Sequence, residues 1–248
     1  MKKLKLRTGT VLMMGFLLII LLGSVLLYMP FKHNHGVVVS YLDCLFVSVS
    51  AVCVTGLTPL DIAATLNVPG RIVLLALIQV GGLGFATFAV FVLRLLGRNV
   101  GYSSRTLAKD ALNMEGGMKV ISLVKIVVKY AFAIEAVGGL LLTVPYLSRT
   151  DSFLKALGMG FFHSISAFNN AGFDLNGNFS SLAAFRGDLY TNLVVALLII
   201  LGAMGFFVMS DVLHNKVWSR FSFHTKIALS VSGFLVVAGF LLLWLLGM

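Results

Sequence analysis

Apolar residues run almost uninterrupted through Val11–Met29, Ile72–Leu93, Tyr130–Leu147, Leu189–Ser210 and Ile227–Met248, and Glu135 in the third is the one ionisable residue among them. About 20 apolar residues in helical conformation match the hydrocarbon thickness of a bilayer, so each run predicts a spanning helix. Two further stretches, Cys44–Leu60 and Ala156–Phe173, are nearly as apolar, but Gly, Thr, Asn or Pro breaks each near its end. The pattern predicts an all-α membrane protein with five spanning helices. The two broken stretches either cross the membrane or enter and leave on one side.

Composition agrees, with 59% hydrophobic and 11% charged residues, which excludes an ordinary soluble domain. The net charge of +10 sits in short segments between apolar runs, so it reads as a topology signal rather than a nucleic-acid surface. If both broken stretches are re-entrant from outside, fourteen basic residues face the cytoplasm, including Lys2, Lys3, Lys5, Arg7, Arg94, Arg98, Arg105, Lys109 and Lys119. Five then lie outside: Lys32, Arg71, Arg149, Lys155 and Arg186. If both span, the division is ten against nine, so the positive-inside bias favours re-entrant segments and a cytoplasmic N-terminus. Lys125 and Lys129 reach back to the cytoplasmic interface. The basic start "MKKLKLRTG" leads into a run that ends in Tyr28 and Pro30 rather than a cleavage site, so the first helix is retained. Cys44 and Cys53 stand without a second metal-type cluster and read as buried, inert thiols.

The chain also repeats itself. Setting "LFVSVSAVCVTGL" (45–57) over "FFHSISAFNNAGF" (161–173) pairs Ser48 with Ser164, Ser50 with Ser166, Ala51 with Ala167 and Gly56 with Gly172. "GGLGF" (81–85) pairs with "GAMGF" (202–206), and Pro30 with Pro145. Both units start on the cytoplasmic side, so the repeats are parallel, unlike the inverted repeats of many transporters. The expected organisation is a first membrane-pore-membrane repeat at 1–97, a cytoplasmic connection at 98–118 and a second repeat at 119–214. Residues 215–248 then hold another connection and the first helix of a third repeat. Aligning "GFLVV" (233–237) with "GFLLI" (15–19) sets Met248 where Pro30 stands.

A short helix followed by a glycine-centred break at membrane depth leaves carbonyls unpaired, which is tolerated only where protein buries them or a wet cavity receives them. A ring of such carbonyls can replace a cation's hydration shell, and glycine supplies the backbone freedom. The candidate ion-binding residues are Cys53, Val54, Thr55 and Gly56 in the first repeat and Asn169, Asn170, Ala171 and Gly172 in the second. Asn169 and Asn170 brace the loop or face an outer vestibule. Glu135 either has a functional intramembrane role or pairs with a polar neighbour. The four paired serines read as hydrogen-bonding within or between helices, His163 as a packed histidine, and Gln79, Gly81, Gly82 and Gly84 as permitting close helix packing. No catalytic motif or paired carboxylate points to an enzyme, and no metal cluster or cofactor is expected.

The segments "SVSAVCVTGL" (48–57), "LIQVGGLGFATFAV" (77–90), "FHSISAFNNAGF" (162–173) and "FSFHTK" (221–226) resemble the Trk/Ktr/HKT superfamily of potassium transporters, most closely its bacterial KtrB-type subunits. The resemblance implies four repeats around one potassium path, with Gly56 and Gly172 each giving a carbonyl to the filter and Gly56 favouring potassium over sodium. It also implies potassium as transported ion with sodium as a possible coupling ion, a multi-pass subunit of the cell membrane, a homodimer in the lipid bilayer and a cytosolic nucleotide-binding regulatory ring. Two complete repeats supply half a filter, so the expectation is potassium uptake as part of a four-repeat subunit. The alternative is a non-conducting fragment or assembly subunit.

Overall fold

A computed structural model describes residues 8–34, 36–84, 87 and 120–246, and within them the chain is helical. Helix α1 spans Thr8–Tyr28, α2 Tyr41–Val52, α3 Ile62–Thr65, α4 Val68–Leu83, α5 Val120–Leu147, α6 Phe153–Phe168 and α7 Leu189–Ala203. These belong to a compact unit that closes at Ala203; a second unit from Met204 holds α8, Phe206–Asn215, and α9, Phe223–Leu245.

Helix starts follow local chemistry. Ser40 and Asp43 form a reciprocal capping box at α2, and the Asn67 side chain accepts from the Gly70 N–H at α4, with Pro69 in the first turn. In the second unit the Ser222 hydroxyl caps α9 by accepting from Thr225 N–H. The Asp211 carboxylate accepts from Ser222 N–H at 2.9 Å, tying α8 to the turn before α9.

In the first unit the helices form two triplets. The short α2 packs against α1 and α4, and the short α6 packs against α5 and α7, while α4 also meets α6. Their shared core includes Leu27, Val47, Leu74 and Ile78 from the first triplet and Phe162, Ala171 and Phe173 from the second. The halves therefore pack as one body rather than as adjacent modules.

The expected spans differ in detail. Among the described residues, Ile126–Leu147 and Phe223–Leu245 are long and apolar enough to cross a membrane as single helices. The run expected at 72–93 is interrupted because α4 ends at Leu83 and Gly84 takes φ +77°. The run expected at 189–210 breaks in the same way between α7 and α8, at Gly205 with φ +76°. Only glycine enters that conformation freely, so the continuous apolar pattern hides two helix ends. The basic segment 94–119 lies outside the described residues.

Candidate functional site: two glycine loops

Helices α2 and α6 end in the same way, residue for residue. At the first, Cys53 N–H donates to Val49 O (2.8 Å), Val54 N–H to Ala51 O (3.2 Å) and Thr55 N–H to Ser50 O (2.9 Å). At the second, Asn169 N–H donates to Ile165 O (3.0 Å), Asn170 N–H to Ala167 O (3.0 Å) and Ala171 N–H to Ser166 O (2.8 Å). Val54 and Asn170 both turn left-handed, at φ +49° and +57°, and Gly56 and Gly172 follow at φ +75° and +78°. A β-branched valine at positive φ is rare and strained, so the surrounding structure imposes this turn.

The two glycines meet. A Cβ placed on Gly172 would stand 3.5 Å from the Gly56 Cα, and one on Gly56 would overlap Ala171 O and lie 3.0 Å from the Gly172 Cα. Two segments separated by more than a hundred residues thus bring backbone, not side chains, to one spot. The negative ends of α2 and α6, which carry partial charge from their last carbonyls, lead directly into these loops.

Serines and glycines hold the short helices in place, again in pairs. Ser48 Oγ donates to Ile20 O on α1, and Ser164 Oγ donates to Glu135 O on α5, both at 2.7 Å. Gly23 and Gly138 leave room for those hydroxyls and for Leu77 and Leu198 respectively. A Cβ on Gly81 would overlap Val52 O at the end of α2, and one on Gly202 would overlap Phe168 O at the end of α6. The missing Cβ is what lets each of these helices approach a terminal carbonyl of its short neighbour so closely.

The residues just before the glycines differ. Cys53 is exposed, not buried as the sequence suggests, because it caps the end of α2 on the loop side, whereas Cys44 is buried. Its counterpart Asn169 is buried and turned away from the glycines. Asn169 Nδ2 donates to Glu135 Oε1 and to Ile165 O, both at 2.9 Å, and lies 3.3 Å from Gln79 Oε1. Gln79 Nε2 donates to the same Glu135 oxygen at 2.9 Å. Glu135 is thus paired with polar neighbours, and Gln79 is a hydrogen-bonding partner rather than a packing spacer. Asn170 is exposed and its Nδ2 donates to Phe168 O and Ile199 O at 3.3 and 3.5 Å.

Beyond Gly172 the chain is fastened by His163. Its Nδ1 stands 2.7 Å from Met159 O, its Nε2 accepts from Leu175 N–H at 3.3 Å, and its ring stacks on Tyr146. Ser166 Oγ donates to Phe173 O at 2.7 Å, while its counterpart Ser50 Oγ pairs with Thr55 Oγ1 at 2.8 Å. The loops that follow the two glycines are joined by Asn178 N–H donating to Asp61 Oδ2 at 2.5 Å. Among the described residues no His, Cys, Asp and Glu group has the arrangement of a metal site.

Residues 3–248 match the TrkH family, described as a cation transport protein. The chain belongs to that family. Among relatives of this TrkH-family chain, the potassium/sodium uptake protein NtpJ of Enterococcus hirae is 38% identical over 92% of the chain and 50% of its own length. The Ktr system potassium uptake protein B of Bacillus subtilis is 40% identical over 89% of the chain and 48% of its own length. That of Vibrio alginolyticus is 36% identical over 95% and 51%. The TrkH-family chain spans about half the length of these curated relatives.

Proposed function

We propose that this chain forms part of the wall of a cation path and serves potassium uptake across the cell membrane, as a portion of a four-repeat translocating subunit. The meeting of the Gly56 and Gly172 backbones carries the reading. Glycine loops at the carbonyl ends of two short, clamped helices suit a filter in which main-chain oxygens replace water around a dehydrated cation. In this reading Cys53, Val54, Thr55 and Gly56 line one quarter of the filter and Asn169, Asn170, Ala171 and Gly172 the next. Asn169 contributes its main chain, because its side chain is engaged behind the loop.

The names of the relatives favour potassium, with sodium as second or coupled ion. The relatives' names speak of a Ktr system, which favours a subunit of a larger transporter, and we assign to the whole protein a homodimer and a cytosolic nucleotide-binding ring. Basic residues in the first and central connections favour a multi-pass chain with a cytoplasmic N-terminus and α2 and α6 as re-entrant segments.

In the intact transporter, Gly56→Ser and Gly172→Asp are expected to lower rubidium over sodium uptake while membrane insertion persists. Unchanged selectivity in both variants would overturn the filter reading. Single cysteines at Asn99 and Asn178, with Cys44 and Cys53 removed, are expected to react with an impermeant maleimide from opposite sides. Labelling from one side would overturn the re-entrant topology.

A further inference from the structure

The two loops have different supports. Counterpart positions of Glu135, Asn169 and Gln79 in the other repeat are Ile20, Cys53 and Ile200. Each position is polar in one copy alone: Gln79 is a buried amide in the first, and Glu135 and Asn169 are a buried carboxylate and a buried amide in the second. The three come from different elements: Gln79 from α4 of the first triplet, Glu135 from α5 of the second, and Asn169 from the turn that opens the second glycine loop.

The geometry is that of a clasp. One carboxylate oxygen, Glu135 Oε1, receives amide N–H groups from both Gln79 and Asn169 at 2.9 Å. Glu135 Oε2 is buried with no partner among the described residues, so Oε1 alone makes these two links. Gly82 completes the arrangement, since a Cβ there would overlap the Asn169 side chain. The glutamate's own carbonyl accepts from Ser164 Oγ, which anchors this point of α5 to α6 as well. Asn169 lies three residues before Gly172 in a loop whose backbone hydrogen bonds are local, and the loop's other tie to a distant element is the long 3.5 Å bond from Asn170 Nδ2 to Ile199 O.

We infer that Glu135 is a positioning residue for cation selection: through the shared Gln79–Glu135–Asn169 clasp it fixes the second glycine loop against the first repeat, without touching the ion. This rests on the reading of Asn169–Gly172 as a pathway wall. A carboxylate that bound the ion would act through its charge, whereas a clasp acts through an acceptor oxygen, and glutamine retains that acceptor.

The test uses the intact transporter with Glu135→Leu, Glu135→Gln, Asn169→Leu and the Glu135→Leu/Asn169→Leu pair. Rubidium KM, maximal rate and rubidium-to-sodium ratio are measured at matched membrane abundance, and amide hydrogen exchange is followed over residues 165–175 in the purified protein. The clasp predicts that Glu135→Leu and Asn169→Leu each raise KM about tenfold, and that the double variant is no worse than the worse single, because neighbours in one network are not additive. It predicts that Glu135→Gln stays within about twofold of the parent, and that Asn170 and Ala171 amides exchange at least about tenfold faster in Glu135→Leu. Unchanged exchange, a Glu135→Gln variant as impaired as Glu135→Leu, or multiplicative losses in the double variant would each overturn the inference. Faster exchange with unaltered KM also overturns it. In that case Gly172→Asp tells which idea failed: altered selectivity there leaves the pathway standing without the clasp, and unaltered selectivity removes the pathway reading itself.

Discussion

The first and second triplets of helices share a frame and differ in what stands behind the glycine. Shared are the serine donating from the short helix to the first helix, the small residue that admits it, the glycine against the last carbonyl, and the left-handed step before the loop glycine. Different are Cys53 against Asn169 and Thr55 against Ala171. In the first loop the threonine hydroxyl closes back on Ser50, and in the second the asparagine reaches to another element. The shared features all concern the main chain: carbonyls within the first helix of each triplet that receive the serine, the last carbonyl of each short helix, and the turn that follows it. The differing ones are side chains, and of these Asn169 reaches the seam, where the two copies have unlike neighbours.

The steric comparison predicts an ordered series of stability losses, measurable by SDS-induced unfolding of the purified protein. Gly56→Ala carries the largest, about 3 kcal/mol, because positive φ costs a substituted residue about 1–2 kcal/mol and its Cβ also overlaps Ala171 O. A loss no greater than that of Gly172→Ala would show that the two loops are not held as differently as their contacts suggest. Gly202→Ala and then Gly81→Ala follow, each about 1–3 kcal/mol, since each drives a methyl into a terminal carbonyl of the adjacent short helix, at 1.6 Å from Phe168 O for the first and 2.3 Å from Val52 O for the second. A Gly81→Ala loss larger than that of Gly202→Ala would show that the two helix ends do not yield as these distances imply. Gly172→Ala should cost about 1–2 kcal/mol, from its dihedral alone, its Cβ meeting the Gly56 Cα at an ordinary 3.5 Å. Ser48→Ala and Ser164→Ala come last, about 0.6 kcal/mol each, the usual worth of one interhelical hydrogen bond in a membrane protein.

Much of this was legible in the sequence because it rests on residue types with few alternatives. Apolar runs gave away a helical membrane protein, and the matched Ser48/Ser164 and Gly56/Gly172 positions revealed a duplicated unit with a backbone-built loop. The helix ends at Gly84 and Gly205 were not visible, because an apolar pattern continues through a break when no water is there to favour polar residues. The "GGLGF" and "GAMGF" pairing contained the signal: the first glycine of each serves close approach and the last serves a positive φ. The direction of Asn169 was hidden for another reason. Two adjacent asparagines look alike in sequence, yet the left-handed step at Asn170 sends one inward and leaves the other exposed. Glu135 could be flagged as an intramembrane acid, but its partners lie 56 and 34 residues away, beyond any local pattern.

The Gln79, Glu135 and Asn169 seam also fixes the order of the halves. Two copies of the first half in tandem would bring Gln79 against an isoleucine and a cysteine, leaving a buried amide unmet at about 1–3 kcal/mol. Two copies of the second would set a buried carboxylate beside the isoleucine at the position of Ile200, with one amide fewer to receive. Units that began as interchangeable copies can thus no longer be shuffled, reversed or doubled without stranding a polar group inside the protein.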